Sequence, residues 1–378
     1  MVHGKKTLAN ITRLRHFMSL LNVEALVLRS GVNVTYLAGL SYPGTLGRHL
    51  DFVDSPRNVL VLWPKEGEPV LIADLFAVPL TQRDSSISDI RSFNGYTQSA
   101  YSVLGTVLSE RGLSDARLGL EFSYLNESAL KSFRNSLPKA EIIDCSDMMD
   151  QVRWIKTDQE VDLLRSNADL LDRAYLKVFP TVVPGDTERE IHARIVKECI
   201  SGGAQWVHGI LNSSRNTVIY GGEGDFEFAE SDIIRNDYVL YREGYPGHQS
   251  RTVVLGKPSL GQIKTYRIVR DIYRATIDTC RPGVSAKVVH QFAAEQFKQA
   301  GFRAKVNITG HGVGCWWHQQ RPFLVEGSED VIEEGMVIAF EPHVGYWHIQ
   351  DMVLIKESGP VLLSDEWNTD EMFVVNFK

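Results

Sequence analysis

The second half of the chain contains an internal repeat, in which two segments of similar sequence lie 98 residues apart. Residues 184–203 begin Pro-Gly-Asp-Thr and end at Gly203, and residues 282–301 begin Pro-Gly-Val-Ser and end at Gly301. Pro-Gly favours a turn, the hydroxyl residue after it favours a helix N-cap, and glycine commonly ends a helix. Each segment is followed by β-rich sequence. The repeat therefore predicts two related α+β halves, and the cleft between such halves is a common ligand site.

The first part of the chain shows a different pattern, in which short β-rich runs alternate with helical stretches. The predicted helices are 7–22, 98–112 and 126–136, and the predicted strands are 24–29, 58–63, 69–73, 117–122 and 140–145. This alternation is typical of an α/β domain with a parallel or mixed sheet. Thr157 and Glu160 then form a capping-box signature for a helix that reaches about Phe179. We therefore predict two domains, residues 1–155 and 156–378.

Charge and composition exclude several classes of protein. The 378 residues carry a net charge of -7, which argues against a nucleic-acid or anionic-membrane partner. Apolar runs fall short of the roughly 18 residues of a membrane span, and the sequence after Met1 lacks the apolar core of a signal peptide. The four cysteines are widely scattered, as in a reducing compartment. We therefore expect a cytoplasmic protein.

Four motifs carry a family resemblance when they are read in order. They are N-x-x-Y-L-x-G at 33–39, R-W-I-K-T-D-Q-E at 153–160, G-H-G-x-G followed by His318 at 310–318, and G-M-V-x-x-x-E-P at 335–342. In these motifs the chain resembles the pita-bread clan of creatinases, prolidases, aminopeptidases P and methionine aminopeptidases. The resemblance implies an α/β N-terminal creatinase-type domain and an α+β pita-bread catalytic domain with an internal pseudo-twofold repeat.

Peptidases of this clan bind two metal ions through two aspartates, one histidine and two glutamates. When residues 237–242 are aligned with the family strand G-D-x-V-x-x-D, Arg242 occupies the first aspartate position. His248 then occupies the second, after a loop about five residues shorter than in the peptidases. A guanidinium is permanently positive and repels divalent cations. This alignment therefore predicts that a dimetal site is absent.

The other three ligand positions are partly retained. His311 and Glu341 match the family histidine and the first glutamate, whereas Gln350 replaces the second glutamate. The resemblance is then closest to the metal-independent, creatinase-like branch, in which a histidine and glutamates hydrolyse a C–N bond and arginines hold a carboxylate. Gly47-Arg48 resembles the F-G-R whose arginine reaches a neighbouring active site, which predicts a homodimer.

We accordingly predict a hydrolase that needs no metal and no other cofactor. Its substrate would be a small carboxylate-bearing nitrogen compound, cleaved as by an ectoine hydrolase or an amidinohydrolase. Imidazoles titrate near neutral pH, so His311 and Glu341 are the expected acid–base pair and His248 is an alternative proton carrier. The predicted substrate-binding residues are Arg242, Arg48, His318, Gln350, Arg321, Trp316 and His208.

Two alternatives remain open at this stage. His248, His311 and Glu341 are a possible ligand set for a single metal, which would favour a one-metal hydrolase or lyase of a small zwitterion. A catalytically inactive module that only binds its partner in the cleft is the other alternative. Creatinase's upstream histidine also has no counterpart, because the stretch from Glu223 to Glu227 is acidic, and whether that stretch enters the site is undecided.

Overall fold

A computed structural model describes residues 7–40, 58–218, 224–315 and 317–377, without the side chain of Trp317. The chain separates into two units, Met1–Arg153 and Trp154–Lys378. Within the described ranges, no helix is both long and apolar enough to cross a membrane.

The first unit is built on a mixed six-stranded sheet. Its described helices are α1 (Ile11–Leu20), α2 (Gly31–Ala38), α3 (Val78–Asp84), α4 (Ala100–Glu110), α5 (Glu127–Ser136) and α6 (Ser146–Trp154), the last of which ends at the boundary. Its strands are β1 (Ala25–Leu28), β2 (Val59–Pro64), β3 (Val70–Asp74), β4 (Asp89–Phe93), β5 (Arg117–Leu120) and β6 (Glu141–Asp144). The order is β4-β3-β2-β1-β5-β6, with β1 antiparallel to β2 and parallel to β5. The predicted α/β fold is confirmed.

A buried glutamate explains the N-terminal motif. Glu121 is 1% exposed and accepts hydrogen bonds from the backbone N–H of Ser30, at 2.9 Å, and from its hydroxyl, at 2.6 Å. The Asn33 amide donates to Glu121 and accepts from the guanidinium of Arg153. Gly39 ends α2 with a φ of 65°, a left-handed conformation that glycine adopts without strain. The motif residues therefore anchor α2 to β5.

The second unit contains two sheets and four described helices. The helices are α7 (Asp158–Val178), α8 (Glu188–Ser201), α9 (Leu260–Thr279) and α10 (Ala286–Gln299). The strands are β7 (Trp206–Ser213), β8 (Ile233–Arg242), β9 (Tyr245–Gln249), β10 (Val253–Leu255), β11 (Gly310–Gly314), β12 (Trp317–Leu324), β13 (Val337–Phe340), β14 (Asp351–Leu354), β15 (Val361–Leu362) and β16 (Phe373–Val375). One sheet has the order β16-β10-β8-β7 with β9 on β8, and the other has the order β12-β11-β13-β14-β15. An isolated bridge between Ser250 and Gln350 joins the two.

The two halves of this unit repeat one local arrangement, as the sequence predicted. Gly185 and Gly283 have φ values of 94° and 84° in the turns that precede α8 and α10. Thr187 forms a capping box at the start of α8, and Thr187 and Ser285 each pair with an extended residue further along the chain. Each half has its own apolar core, under α7 and α8 in one and under α9 and α10 in the other. The internal repeat therefore places one sheet from each half at the centre of the unit.

Candidate metal centre

The hairpin of β8 and β9 brings an aspartate beside a histidine. His248 pairs with Val239, and Asp237 lies two residues along β8, so its side chain is on the same face of the strand as that of Val239. Asp237 Oδ1 is 3.8 Å from His248 Nδ1. His248 Nδ1 is also 2.9 Å from the carbonyl oxygen of Tyr238, to which it donates. The other ring nitrogen, Nε2, therefore keeps its lone pair.

The second sheet contributes another histidine and a glutamate. His311 lies on β11 opposite Ala339, and Glu341 directly follows β13. His311 Nδ1 donates to the carbonyl oxygen of Gly312 at 3.1 Å, while Nε2 is 3.4 Å from Glu341 Oε1. A Cβ at Gly312 would lie 2.4 Å from the carbonyl oxygen of Arg321, so the backbone of β12 passes too close for any side chain. The glycines around His311 thus permit the strand spacing that fixes its ring.

The side chains of Asp237, His248, His311 and Glu341 form one cluster. The rings of His248 and His311 stack with centroids 5.4 Å apart. Burial lowers the pKa of His311 to about 3 and also lowers the pKa of His248, so both imidazoles are neutral at pH 7. Burial, reinforced by the charge of Asp237, raises the pKa of Glu341 well above its ordinary value. Two neighbouring carboxylates and two neutral imidazoles are a strong donor set for a cation.

A third histidine lies at the edge of this cluster and is held by a tyrosine hydroxyl. The His318 ring is 4.8 Å from that of His248, between centroids. The backbone N–H of His318 donates to the Tyr241 hydroxyl at 3.2 Å, and the hydroxyl is 2.9 Å from His318 Nδ1. The Tyr241 hydroxyl therefore orients the His318 ring at the edge of the cluster.

The prediction that Arg242 occupies a metal-ligand position is wrong. Its Nε donates to Asn167 Oδ1 at 2.9 Å and its terminal nitrogen donates to Ser166, near the turn of the hairpin. The motif G-D-x-V-x-x-D, read five residues upstream as Ser-Asp-Ile-Ile-Arg-Asn-Asp over 231–237, places Asp237 there instead. That alignment also removes the supposed shortening of the loop before His248. An arginine whose charge does act on Glu341 is Arg235, buried on the same strand.

The other predicted substrate-binding residues are dispersed. Arg321 pairs with Asp330, with its Nε 3.0 Å from Asp330 Oδ1. His208 is exposed and stacks on Trp206 at 5.7 Å. Gln350 is fully buried beside the site, and its Oε1 accepts from the Ser250 hydroxyl at 3.2 Å.

Some predictions fall outside the described residues. They concern Arg48, Trp316 and Glu223. The homodimer that the Arg48 motif implied therefore stays a prediction. Asp225, in the same acidic stretch as Glu223, is exposed and pairs with Arg189 at 2.9 Å.

Sequence reasoning missed two histidines on the segment between β13 and β14. Glu341, His343 and His348 each offer a ligand atom, and these atoms lie within 4.8 Å of one another. The signal was present as two histidines shortly after the Glu-Pro of the last motif, in Glu-Pro-His-Val-Gly-Tyr-Trp-His. The family motif does not include His343 and His348, so the motif alone assigns them no function.

Comparison with family models identifies the family of this chain. Residues 162–357, more than half of the chain, match the model described as metallopeptidase family M24, and residues 10–155 match the creatinase/prolidase N-terminal domain. The chain belongs to metallopeptidase family M24.

Individual relatives of this M24 chain are named as peptidases. It is 30% identical over 229 residues to a probable dipeptidase, PepE, of Mycobacterium tuberculosis, a match that covers 58% of this chain and 61% of that protein. It is 28% identical over 251 residues to an Xaa-Pro dipeptidase of Pyrococcus furiosus, covering 64% and 72% of the two chains. A solved Xaa-Pro dipeptidase from Bacillus anthracis superposes with a TM-score of 0.80 at 21% identity, covering 96% and 98%, and thus shows the shared fold.

These comparisons correct the predicted activity. The sequence alignment indicated a metal-independent, creatinase-like hydrolase and excluded a dimetal peptidase. Both predictions are wrong, because the family is one of metallopeptidases and the named relatives are dipeptidases. The physical source of the error is the misplaced charge of Arg242.

Asp237, His248, His311 and Glu341 are the residues that would hold a divalent ion at the family position, whereas the ligand atoms that lie within 4.8 Å of one another are those of Glu341, His343 and His348. His248 and His311 each donate Nδ1–H to a backbone carbonyl, as metal-ligating histidines do, which leaves Nε2 for the ion. Nε2 of His311 is buried and has no hydrogen-bond partner among the residues described. Asp237 and Glu341 supply the negative charge. The remaining family position holds Gln350, whose neutral amide supplies none of the charge that a second ion there would need.

Proposed function

We propose that this chain is a metal-dependent hydrolase that cleaves the C–N bond of dipeptides. The observation that carries the proposal is a buried cluster in which Asp237 lies beside His248, the ring of His248 stacks on that of His311, and the unpartnered Nε2 of His311 faces Glu341. The family description and the names of the dipeptidase relatives support it.

Each residue has a distinct part in this proposal. When bound, a divalent ion at this position supplies a Lewis acid that polarises a carbonyl oxygen and lowers the pKa of a water molecule. Asp237 and Glu341 offset the charge of the ion, and the two backbone hydrogen bonds of His248 and His311 hold their rings in a fixed orientation. His318 lies at the edge of the cluster, where the Tyr241 hydroxyl orients its ring for a hydrogen bond to the substrate.

Metal dependence and substrate class are tested together. Chelated protein is assayed against a panel of dipeptides, including Xaa-Pro, before and after addition of Zn²⁺, Co²⁺ or Mn²⁺, with free amino acids measured by chromatography. We expect no release without metal and release of both amino acids with it. Full activity after chelation, with no metal found by elemental analysis, would contradict the proposal.

The position of the ion is tested with a pair of variants. Asp237→Asn keeps the shape but removes the charge, and loss of a direct ligand should lower kcat/KM by at least about 100-fold. Arg242→Ala, five residues along the same strand, is the matched control and should keep metal and activity. Loss of metal and activity in Arg242→Ala, with both retained in Asp237→Asn, would support the alignment that places Arg242 in the site.

A further inference from the structure

A second group of donors lies on the far side of Glu341. His343 and His348 lie on the segment between β13 and β14, with ring centroids 4.5 Å apart. Glu341 Oε2 is 3.7 Å from His348 Nε2, whereas Oε1 faces His311 Nε2 at 3.4 Å. The two carboxylate oxygens of Glu341 therefore face two different groups of imidazoles.

These distances are those of ligands around a common ion. Two atoms that each lie 2.0–2.1 Å from a tetrahedral zinc ion are separated by about 3.4 Å. Separations of 3.4 and 3.7 Å are close to that value. They are too long for strong hydrogen bonds between imidazole and carboxylate. Each carboxylate oxygen of Glu341 therefore lies about as far from an imidazole nitrogen as two ligands of one zinc ion lie from each other.

The free nitrogens of the second group point to a ligand. His343 Nδ1 donates to the carbonyl oxygen of Glu341 at 2.8 Å, which leaves its Nε2 lone pair available. His348 is 1% exposed and lies beside the Gln350 side chain, and neither of its ring nitrogens forms a hydrogen bond of good geometry with a described residue. Leaving buried polar atoms unsatisfied is costly, and such atoms in a folded protein call for an explanation.

The fold holds this group in place. The backbone N–H of His348 donates to the Thr252 hydroxyl at 3.1 Å, and that hydroxyl donates to the carbonyl oxygen of His348 at 2.9 Å. The Tyr346 hydroxyl donates to the carbonyl oxygen of Asn216 at 2.7 Å. Both sides of the segment are therefore fixed before any ion binds.

We propose that Glu341 bridges two divalent transition-metal ions. The first is held by Asp237, His248 and His311 with Oε1, and the second by His343 and His348 with Oε2. The inference rests on the proposed function and adds to it a second ion. Two of the five family ligand positions hold neutral side chains, His248 and Gln350. The imidazoles of His343 and His348 provide the ligands for the second ion instead. Arg235, buried on β8, adds positive charge beside Glu341, His343 and His348, which opposes binding of the second ion.

The test counts ions in the full chain. Chelated protein is dialysed against buffered Zn²⁺ and analysed by elemental analysis, and Co²⁺ is titrated with detection of its visible absorption. Wild type should bind two ions in two steps. The double variant His343→Ala/His348→Ala should bind one and keep the absorption of the first step, while Asp237→Asn should weaken that first step.

Controls separate this inference from the proposed function. His208→Ala removes an exposed histidine and should leave two ions bound. His348→Gln retains a polar side chain of similar length, and circular dichroism of every variant checks that it is folded. One ion in wild type, unchanged in His348→Gln, would overturn the second site and leave the proposed function standing. No bound ion in wild type would overturn both.

Discussion

At the residue scale, the hydroxyl of Tyr241 orients the ring of His318. Tyr241→Phe removes that hydroxyl and allows the ring to turn. We expect a fall in kcat/KM of about 10-fold, at the low end of losses for supporting contacts, with metal content unchanged. Peptidase assays with parallel elemental analysis measure both quantities.

Tyr245→Phe is the matched control for this prediction. The Tyr245 hydroxyl donates to Glu160 Oε1 at 3.1 Å. Its loss should leave the kinetics near those of wild type. Equal losses in the two variants would show that the effect of Tyr241 is structural and does not act through His318.

The buried imidazole of His311 makes the stability of the metal-free protein depend on pH. Burial lowers its pKa from an ordinary 6.5 to about 3. Below pH 6.5 the unfolded chain binds a proton that the folded chain excludes, so stability falls as the pH falls from 6.5 towards 3. The slope contributed is up to about 1.4 kcal/mol per pH unit. The pKa of Glu341 is raised, so Glu341 contributes a slope of opposite sign at pH values above the ordinary pKa of a glutamate.

Comparison with a variant isolates the part due to His311. Urea unfolding of wild type and of His311→Asn, both metal-free, should be measured at pH 5.0, 5.75 and 6.5. We expect the free energy of unfolding of wild type, minus that of the variant, to fall as the pH falls from 6.5 to 5.0, because Glu341 is common to both proteins and its contribution cancels in the difference. Parallel pH dependences would mean that His311 takes up a proton equally in the folded and unfolded chains.

At the scale of elements, a buried ion network connects α7 to the strands that flank the site. Arg251 donates to Asp172 of α7 through Nε at 2.9 Å and to Asp351 of β14 at 2.7 Å, and all three are at most 2% exposed. Asp172→Ala leaves a buried guanidinium partly unpaired and should cost about 3–5 kcal/mol of unfolding free energy.

The next residue along α7 provides the comparison. Arg173 forms an exposed ion pair with Glu366, and Arg173→Ala should cost less than about 1 kcal/mol. Urea unfolding of both variants with metal bound measures the difference. Similar costs would show that burial of the Arg251 network adds nothing to its contribution.

Elements also show where sequence reasoning succeeds. The five predicted strands of the first unit correspond to β1, β2, β3, β5 and β6, mostly apolar runs buried in a sheet. Strand β4 was missed because its sequence, Asp-Ile-Arg-Ser-Phe, is largely polar at the sheet edge. Helix α2 was missed because residues 32–38 are buried on every side, so the apolar period of a surface helix is absent.

At the scale of the whole molecule, repeats and motifs were enough to predict the fold but not the site. An Asp-x-(Val/Ile)-x-x pattern occurs twice, beginning at Asp232 just before β8 and at Asp237 within it, and sequence alone does not choose between them. Pairing with β9 makes the choice, because Asp237 then lies beside His248. Likewise, His343 and His348 gain meaning only when the segment that carries them folds back against Glu341. A ligand set is a property of strand register, and composition does not encode it.

All the proposed metal ligands belong to the second unit, which predicts where a bound ion stabilises the chain. At a free concentration 100 times its dissociation constant, an ion stabilises the folded state by about 2.7 kcal/mol. Hydrogen exchange through unfolding of that unit should then slow by about 100-fold in β11 and β13. Strands β1 and β5 of the first unit serve as the reference within the same sample, since they contribute no ligand. Mass spectrometry of peptides from chelated and Zn²⁺-loaded protein measures both. Slowing in β1 and β5 without slowing in β11 and β13 would place the ion outside the cluster around Glu341.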